Sequence, residues 1–479
     1  MNAAELLLNG NPRALALLQG EDRITYGALR ERALQAATAW RGRGIGAGDI
    51  CIIGLPDSID MVIAFLGLLW MGAIPVPISP RIEPQQIADL LIDSGAKALL
   101  VEDGMAERIA GPGIVKLSSW RAALETAGGD ALPAVEADAD SPAFMLYSSG
   151  TTGKPKGIIH AHRCVESAHV FAQEVLGATA DDRFFSTSKL FFAYPLANSL
   201  FAGLRLGASV VLDSEWPNPQ RVAELVQRHA PTLLFSVPTL YQRLFDADIA
   251  FPSVRRFVSA GEACSPSLAA AWEQRHGVSL VNGYGTTETL SLMLYKSSAM
   301  RGLRPTPLTL VREEATDSSD PEASVRLWFS HPGVGLGYSR VVSHDSARFG
   351  QHEFSPGDMF RRLAGDDGPL WSFAGRSDQL LKVYGRWVDT VALEQWIFEK
   401  MQQDISELCI VPVDDAGSTI SLHLFVVARP DRAESLLARV LSACDELPAY
   451  KRPVRTQILA ELPRTETGKV RRGTLKSMC

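Results

Sequence analysis

Six cysteines in 479 residues, with no Cys-x-x-Cys pair and no cysteine–histidine group at metal-ligand spacing, exclude a disulfide framework or a zinc knuckle. Scattered as Cys51, Cys164, Cys264, Cys409, Cys444 and Cys479, they match the reduced thiols of a cytoplasmic protein, and that is the expected compartment. An excess of one charge is missing too. Lys and Arg number 47 against 54 Asp and Glu, interspersed, so the basic footprint of a nucleic-acid binder is absent. No hydrophobic run is long and unbroken. The most apolar stretch, 61–78, is interrupted by Gly67, Gly72, Pro75 and Pro77, which predicts a buried helix followed by a strand rather than a membrane span. Residues 1–10 lack a basic region followed by an apolar run, so no signal peptide is expected. What the chain does have is 46% hydrophobic and 21% charged residues, enough to fill the cores of two or three domains.

Helical and strand-like patterns alternate along the first third. Helices are predicted at 26–44, 58–71 and 85–94, and strands at 50–55, 74–78 and 98–102. Strands at 208–212, 232–237, 256–259 and 279–282 continue the series, with helices at 219–229 and 265–276 between them. Such alternation is the mark of βαβ units on a parallel sheet. Prolines and a polar run over 300–320 predict a surface loop and a change to β-rich structure. A further boundary near 375–378 leaves about a hundred residues for a small α/β domain. Its predicted elements are helices at 390–401 and 432–447 and strands at 407–413 and 421–428.

The strongest local signal is Tyr147-Ser148-Ser149-Gly150-Thr151-Thr152-Gly153-Lys154-Pro155-Lys156-Gly157, which follows an apolar strand at 143–146 and precedes a helix predicted to begin near His160. Glycines and small hydroxyl residues let backbone N–H and side-chain O–H groups close around phosphate oxygens, while the lysines add positive charge. It is not a P-loop, because Ser148 stands where the first glycine belongs and proline follows Lys154. Taken alone, such a cluster is more often a turn.

This segment resembles the phosphate loop of the adenylate-forming superfamily: acyl- and aryl-CoA synthetases, peptide-synthetase adenylation domains and firefly luciferase. Further segments follow in that family's order. Gly283-Tyr284-Gly285-Thr286-Thr287-Glu288 resembles its second nucleotide segment, Gly357-Asp358 its ribose motif, Gly375-Arg376-Ser377-Asp378 its hinge, and 463–469 its catalytic-lysine motif. The resemblance implies an α/β fold. A large N-terminal domain, 1–377, would hold αβ-layered subdomains and a β-rich subdomain, and a small mobile α+β domain, 378–479, would swing about Asp378. It also implies the site. Ser148, Ser149, Gly150, Thr151, Thr152, Gly153, Lys154 and Lys156 would hold the phosphates of ATP, with Gly261, Glu262, Ala263, Gly283, Gly285 and Thr286 completing the nucleotide site. Tyr284 would face adenine, Thr287 the α-phosphate, Glu288 Mg²⁺, and Asp358 and Arg376 the ribose. Lys469 would bridge carboxylate and α-phosphate, and Gly385 would line the thiol tunnel. Without the motif, Lys469 with Lys451, Arg452, Arg471, Arg472 and Lys476 would read as a solvated basic face.

The segment 189–198 is similar to that of benzoate-CoA ligases and makes the expected substrate an aromatic acid. Phe192, Ala193 and Tyr194, with Ala260, Gly261, Gly283, Gly285 and Ser291, would form its pocket. Ser291 stands where benzoate ligases tend to carry histidine. The thiol acceptor is either coenzyme A or the phosphopantetheine of an acyl or aryl carrier protein. Arg452 and Arg472 suit a CoA phosphate or an acidic carrier surface equally. A monomer or homodimer without nucleic-acid or membrane partners is expected. A hydrolase reading lacks its Gly-x-Ser-x-Gly elbow. Loss of Lys469 or Glu288 would have marked a catalytically retired nucleotide binder, and both residues are present.

Overall fold

The computed structural model describes the chain apart from residues 110, 128–131, 149–154, 315–323, 340–347, 364–367, 377–379, 384–385, 416–418, 431 and 465–469. It forms two compact units, one of Met1–Arg312 with Trp328–Pro356, the other of Glu313–Leu327 with Gly357–Cys479. The boundary expected at 377/378 lies outside the described residues.

In the first unit the predicted alternation becomes two parallel sheets. The larger has nine strands and a parallel centre in which Leu280–Tyr284, Arg256–Ser259, Leu233–Ser236, Arg183–Ser186, Ser209–Leu212 and Leu15–Gln19 lie side by side. Antiparallel strands close both edges. The smaller sheet is the parallel set Ile74–Pro77, Ile50–Gly54, Ala98–Val101 and Ile114–Lys116. Its strands are buried almost throughout, as sheets covered on both faces require.

Helix boundaries follow local chemistry. Asn218 and Ser265 cap the helices Pro219–His229 and Pro266–His276 by accepting from the amides of Arg221 and Leu268, with proline at each first position. The apolar stretch 61–78 is a buried helix, Ile59–Trp70, a turn at Gly72 and the strand Ile74–Pro77. Among the described residues no helix is long and apolar enough to cross a membrane. Helix Ile59–Trp70 packs closely on Tyr26–Gly42. A Cβ at Gly67 would stand 2.6 Å from that of Ala36, so glycine sets the approach of the two helices.

One expectation is corrected. The phosphate-loop segment does not lead into a helix near His160; residues Lys156–Ala161 form a strand antiparallel to Pro142–Ser148. Ile158 and Ile159 favour extended backbone, and the strand is covered on both faces. Gly337–Tyr338 adds a third strand beside it.

The second unit carries the antiparallel pair Asp358–Leu363 and Leu370–Arg376 and a sheet of Ile405–Asp415, Thr419–Ala428 and Arg455–Leu459. Its core joins Ile397, Leu424, Val426, Leu436 and Val440. All six cysteines are free thiols.

Candidate active site

The hairpin positions what is described of the phosphate loop. Tyr147 pairs with Gly157 and Ser148 with Lys156, so the strands on either side of that segment are in register. Ser149, Gly150, Thr151, Thr152, Gly153 and Lys154 lie outside the described residues. Gly157 sits close under Ser339 and Met145, where a Cβ would meet Ser339 Oγ at 2.6 Å and Met145 Sδ at 2.8 Å. The Ser339 amide in turn donates to the Gly157 carbonyl at 2.8 Å.

Strand Leu280–Tyr284 delivers the second segment. The chain then folds back so tightly that a Cβ at Gly283 would meet Leu292 Cδ1 at 2.5 Å and one at Gly285 the Ser291 carbonyl at 2.7 Å. The side-chain positions of both glycines are therefore filled by the turn itself. Thr289 Oγ1 accepts from the Thr286 amide at 3.0 Å, and Leu290 takes a positive φ of 58°. The Gly335 amide donates to the Glu288 carbonyl at 2.8 Å. Tyr284 packs at 5.9 Å from Phe329, and Thr286 Oγ1 is buried without a hydrogen-bond partner among the described residues.

Sequence reasoning missed the residue that joins the two segments. Tyr338 donates its hydroxyl to Glu288 Oε1 at 2.9 Å, while Lys156 Nζ lies 5.6 Å from the centre of the same ring. That distance is within cation–π range. A phosphate-side cation and the carboxylate expected to hold Mg²⁺ thus share one aromatic spacer. Its place in the glycine-rich run 333–338 is the signal that could have found it.

Two buried side chains support this platform. Arg163 donates to the carbonyls of Pro332 and Val334, with Asp140 at 2.5 Å. His160, stacked on Phe144 at 5.0 Å, is held neutral because burial pushes its pKa down to about 3.

At the expected aryl pocket, Phe192 precedes a short helix, Ala193–Pro195, that runs into the π-helical turn Leu196–Phe201. Its ring lies 4.2 Å from that of Phe191. Tyr194 donates its hydroxyl to the Val258 carbonyl at 2.9 Å, tying this segment to the strand that ends before Ala260. Ala260 is buried and Gly261 takes a φ of 87°, a conformation that favours glycine. Glu262, beside Ala263, accepts from Thr239 Oγ1 at 2.5 Å. Ser291 is buried, and its Oγ has no hydrogen-bond partner among the described residues.

Behind the pocket, both oxygens of buried Asp57 accept from the Leu190 amide at 3.1 Å. Lys189 Nζ donates to the carbonyls of Asp213 and Glu215. This charged cluster fixes the backbone that presents Phe192, and the apolar–aromatic pattern of 189–198 gave no sign of it.

In the second unit, buried Asp358 is the cross-strand partner of Arg376. Asp378, Gly385 and Lys469 lie outside the described residues. Arg472, expected to meet a phosphate or an acidic surface, instead pairs with Glu394 at 2.9 Å and donates to the Ile410 carbonyl at 2.6 Å. Arg452 is turned onto the Leu447 and Asp445 carbonyls.

The chain is 32% identical to a 3-hydroxybenzoate–CoA ligase of Aromatoleum sp. (strain CIB), over all of this chain and 97% of the relative. Its fold matches a benzoate CoA ligase from Burkholderia xenovorans LB400 with a TM-score of 0.88 at 28% identity, over 99% of this chain and 100% of that one. It also matches the anthranilate CoA ligase AuaEII in complex with anthranoyl-AMP, with a TM-score of 0.89 at 27% identity, over 100% and 97% of the two chains. The AMP-binding enzyme family model matches residues 6–338, more than half of the chain, and the chain belongs to that family.

Proposed function

We infer that this chain is an AMP-forming aryl-CoA ligase. The acid's carboxylate attacks the α-phosphorus of ATP, giving aryl-AMP and releasing pyrophosphate. The CoA thiol then attacks the acyl carbon, giving the thioester and AMP. The observation that carries this reading is the Lys156–Tyr338–Glu288 arrangement, which mounts a cation and a carboxylate on the two nucleotide segments.

Glu288 suits Mg²⁺, which uses few protein carboxylates and takes its remaining oxygens from phosphates and water. When bound, the metal would neutralise phosphate charge. Thr287 would reach the α-phosphate, Asp358 and Arg376 the ribose, and Tyr284 the adenine. Lys469 would stabilise the charge that builds between carboxylate and phosphate. Asp378 would be the hinge between half-reactions and Gly385 part of the thiol path. Relatives matched over nearly their whole length are named CoA ligases, which favours CoA over a carrier protein as acceptor. The orphaned Ser291 hydroxyl favours a benzoate bearing a hydroxyl or amino group, because a buried hydroxyl without a partner costs about 1–3 kcal/mol.

The test is pyrophosphate release with benzoate, hydroxybenzoates, aminobenzoates and a fatty acid, each with and without CoA. Release with a substituted benzoate, with CoA converted to the aryl thioester, is expected. A single equivalent of pyrophosphate with CoA ignored would return the carrier-protein reading.

A further inference from the structure

One member of the basic cluster near the C-terminus, Arg472, is drawn onto a buried peptide unit of the neighbouring strand. Ile410 lies in strand Ile405–Asp415, which is an edge strand of its sheet. Its amide donates to Glu394 Oε1 at 2.6 Å, and its carbonyl accepts from Arg472 Nη1 at 2.6 Å. Arg472 and Glu394 then close the ring at 2.9 Å. An edge amide and carbonyl, which another strand would otherwise satisfy, are thus held by an ion pair. Burial pushes the Glu394 carboxyl up, and the Arg472 charge opposes that shift.

The pair stands at one foot of the segment that contains Lys469. Arg472 opens the short helix Arg472–Lys476, three residues beyond that lysine. At the other foot, Arg464 pairs with Glu407 at 2.7 Å and bridges to Val470, while the Arg471 amide donates to the Pro463 carbonyl at 2.7 Å. Both feet are therefore tied by arginines to the same strand. Leu462, Leu475 and Val470 pack beneath with Cys409, Val411 and Phe425.

We propose that Glu394 and Arg472 are positioning residues for adenylation, fixing the base of the segment that presents Lys469. This rests on the reading of Lys469 as the adenylating lysine. A group that positions one side chain for one half-reaction should leave the other half-reaction intact, whereas a general loss of folding lowers both.

The experiment measures two rates in the full-length enzyme carrying R472M, R472K, E394Q or K469A. One is single-turnover pyrophosphate release from ATP and the best acid of the panel above. The other is thioester formation from CoA and the synthetic adenylate of that acid. R472M should slow adenylation about 100-fold, the scale of a small misplacement of a reacting group, with thioester formation within about threefold of wild type. R472K keeps the charge at Glu394 and should fall between R472M and wild type. The thioester rate also reports folding in each sample. Equal loss of both rates in R472K and E394Q, or unchanged adenylation in R472M, would overturn the positioning role. Wild-type adenylation by K469A would instead overturn the lysine reading, whatever the pair does.

Discussion

The Glu288 turn and the foot of the Lys469 segment are anchored by opposite means. The turn is held by backbone and shape: two glycines with no room for a Cβ, a Thr289 hydroxyl bond and a Gly335 amide on the Glu288 carbonyl. Charge enters there at Glu288 and Lys156, on either side of Tyr338, and at Arg163 beneath them. At the foot of the lysine segment, ion pairs do the anchoring, through Glu394–Arg472 and Glu407–Arg464. Shape tolerates no added atom and is insensitive to ionic conditions, whereas an ion pair depends strongly on both of its partners.

The sharpest break of this contrast is Gly285→Ala. The new methyl would press on the Ser291 carbonyl 2.7 Å away. Adenylation should fall about 100-fold, as expected when reacting groups are displaced. Melting should fall with it, by the equivalent of about 1–3 kcal/mol of overpacking. Activity and melting temperature near wild type would show that the turn is not shape-locked.

Tyr338→Phe is milder. It removes the bond to Glu288 and keeps the ring under Lys156, so a loss of about tenfold in kcat/KM is expected, from a charge-assisted bond worth about 1.5–3 kcal/mol. The loss should shrink as Mg²⁺ is raised. A titration in which the defect ignores Mg²⁺ would detach Tyr338 from the metal carboxylate.

The smallest effect concerns Asp57, a charge inside the shape-held unit. Burial pushes its carboxyl up to about 7 from an ordinary 3.8. Between those values the folded chain binds more protons than the unfolded one. This contribution to stability is complete below about pH 4 and lost as pH rises through about 7. Asp57→Asn should flatten that part of a melting-temperature profile against pH by a few degrees; parallel profiles for the two proteins would count against it.

The alternating pattern made the parallel sheets of the first unit legible, because buried strands and their helices have different lengths and periods. The same logic failed at Lys156–Ala161. A strand covered on both faces shows no alternation, so Ile158 and Ile159 did not reveal a hairpin. The motifs pointed to Glu288 and Asp358 but not to Tyr338, because its bond to Glu288 joins segments fifty residues apart that only the fold brings together. Arg472 was misread for another reason: a cluster of basic residues ordinarily faces water, and only the fold shows that Glu394 draws one of them inward.

The hairpin under the phosphate loop has a consequence for how its length can change. Because Ser148 faces Lys156 across a ladder, side chains keep a parity of two along each strand. Lys156 therefore sits beside Tyr338 by virtue of the strand register. A single residue gained or lost within Lys156–Ala161 would turn the lysine to the opposite face and break its contact with the tyrosine. Length change within these strands is therefore forbidden by the Lys156–Tyr338 contact.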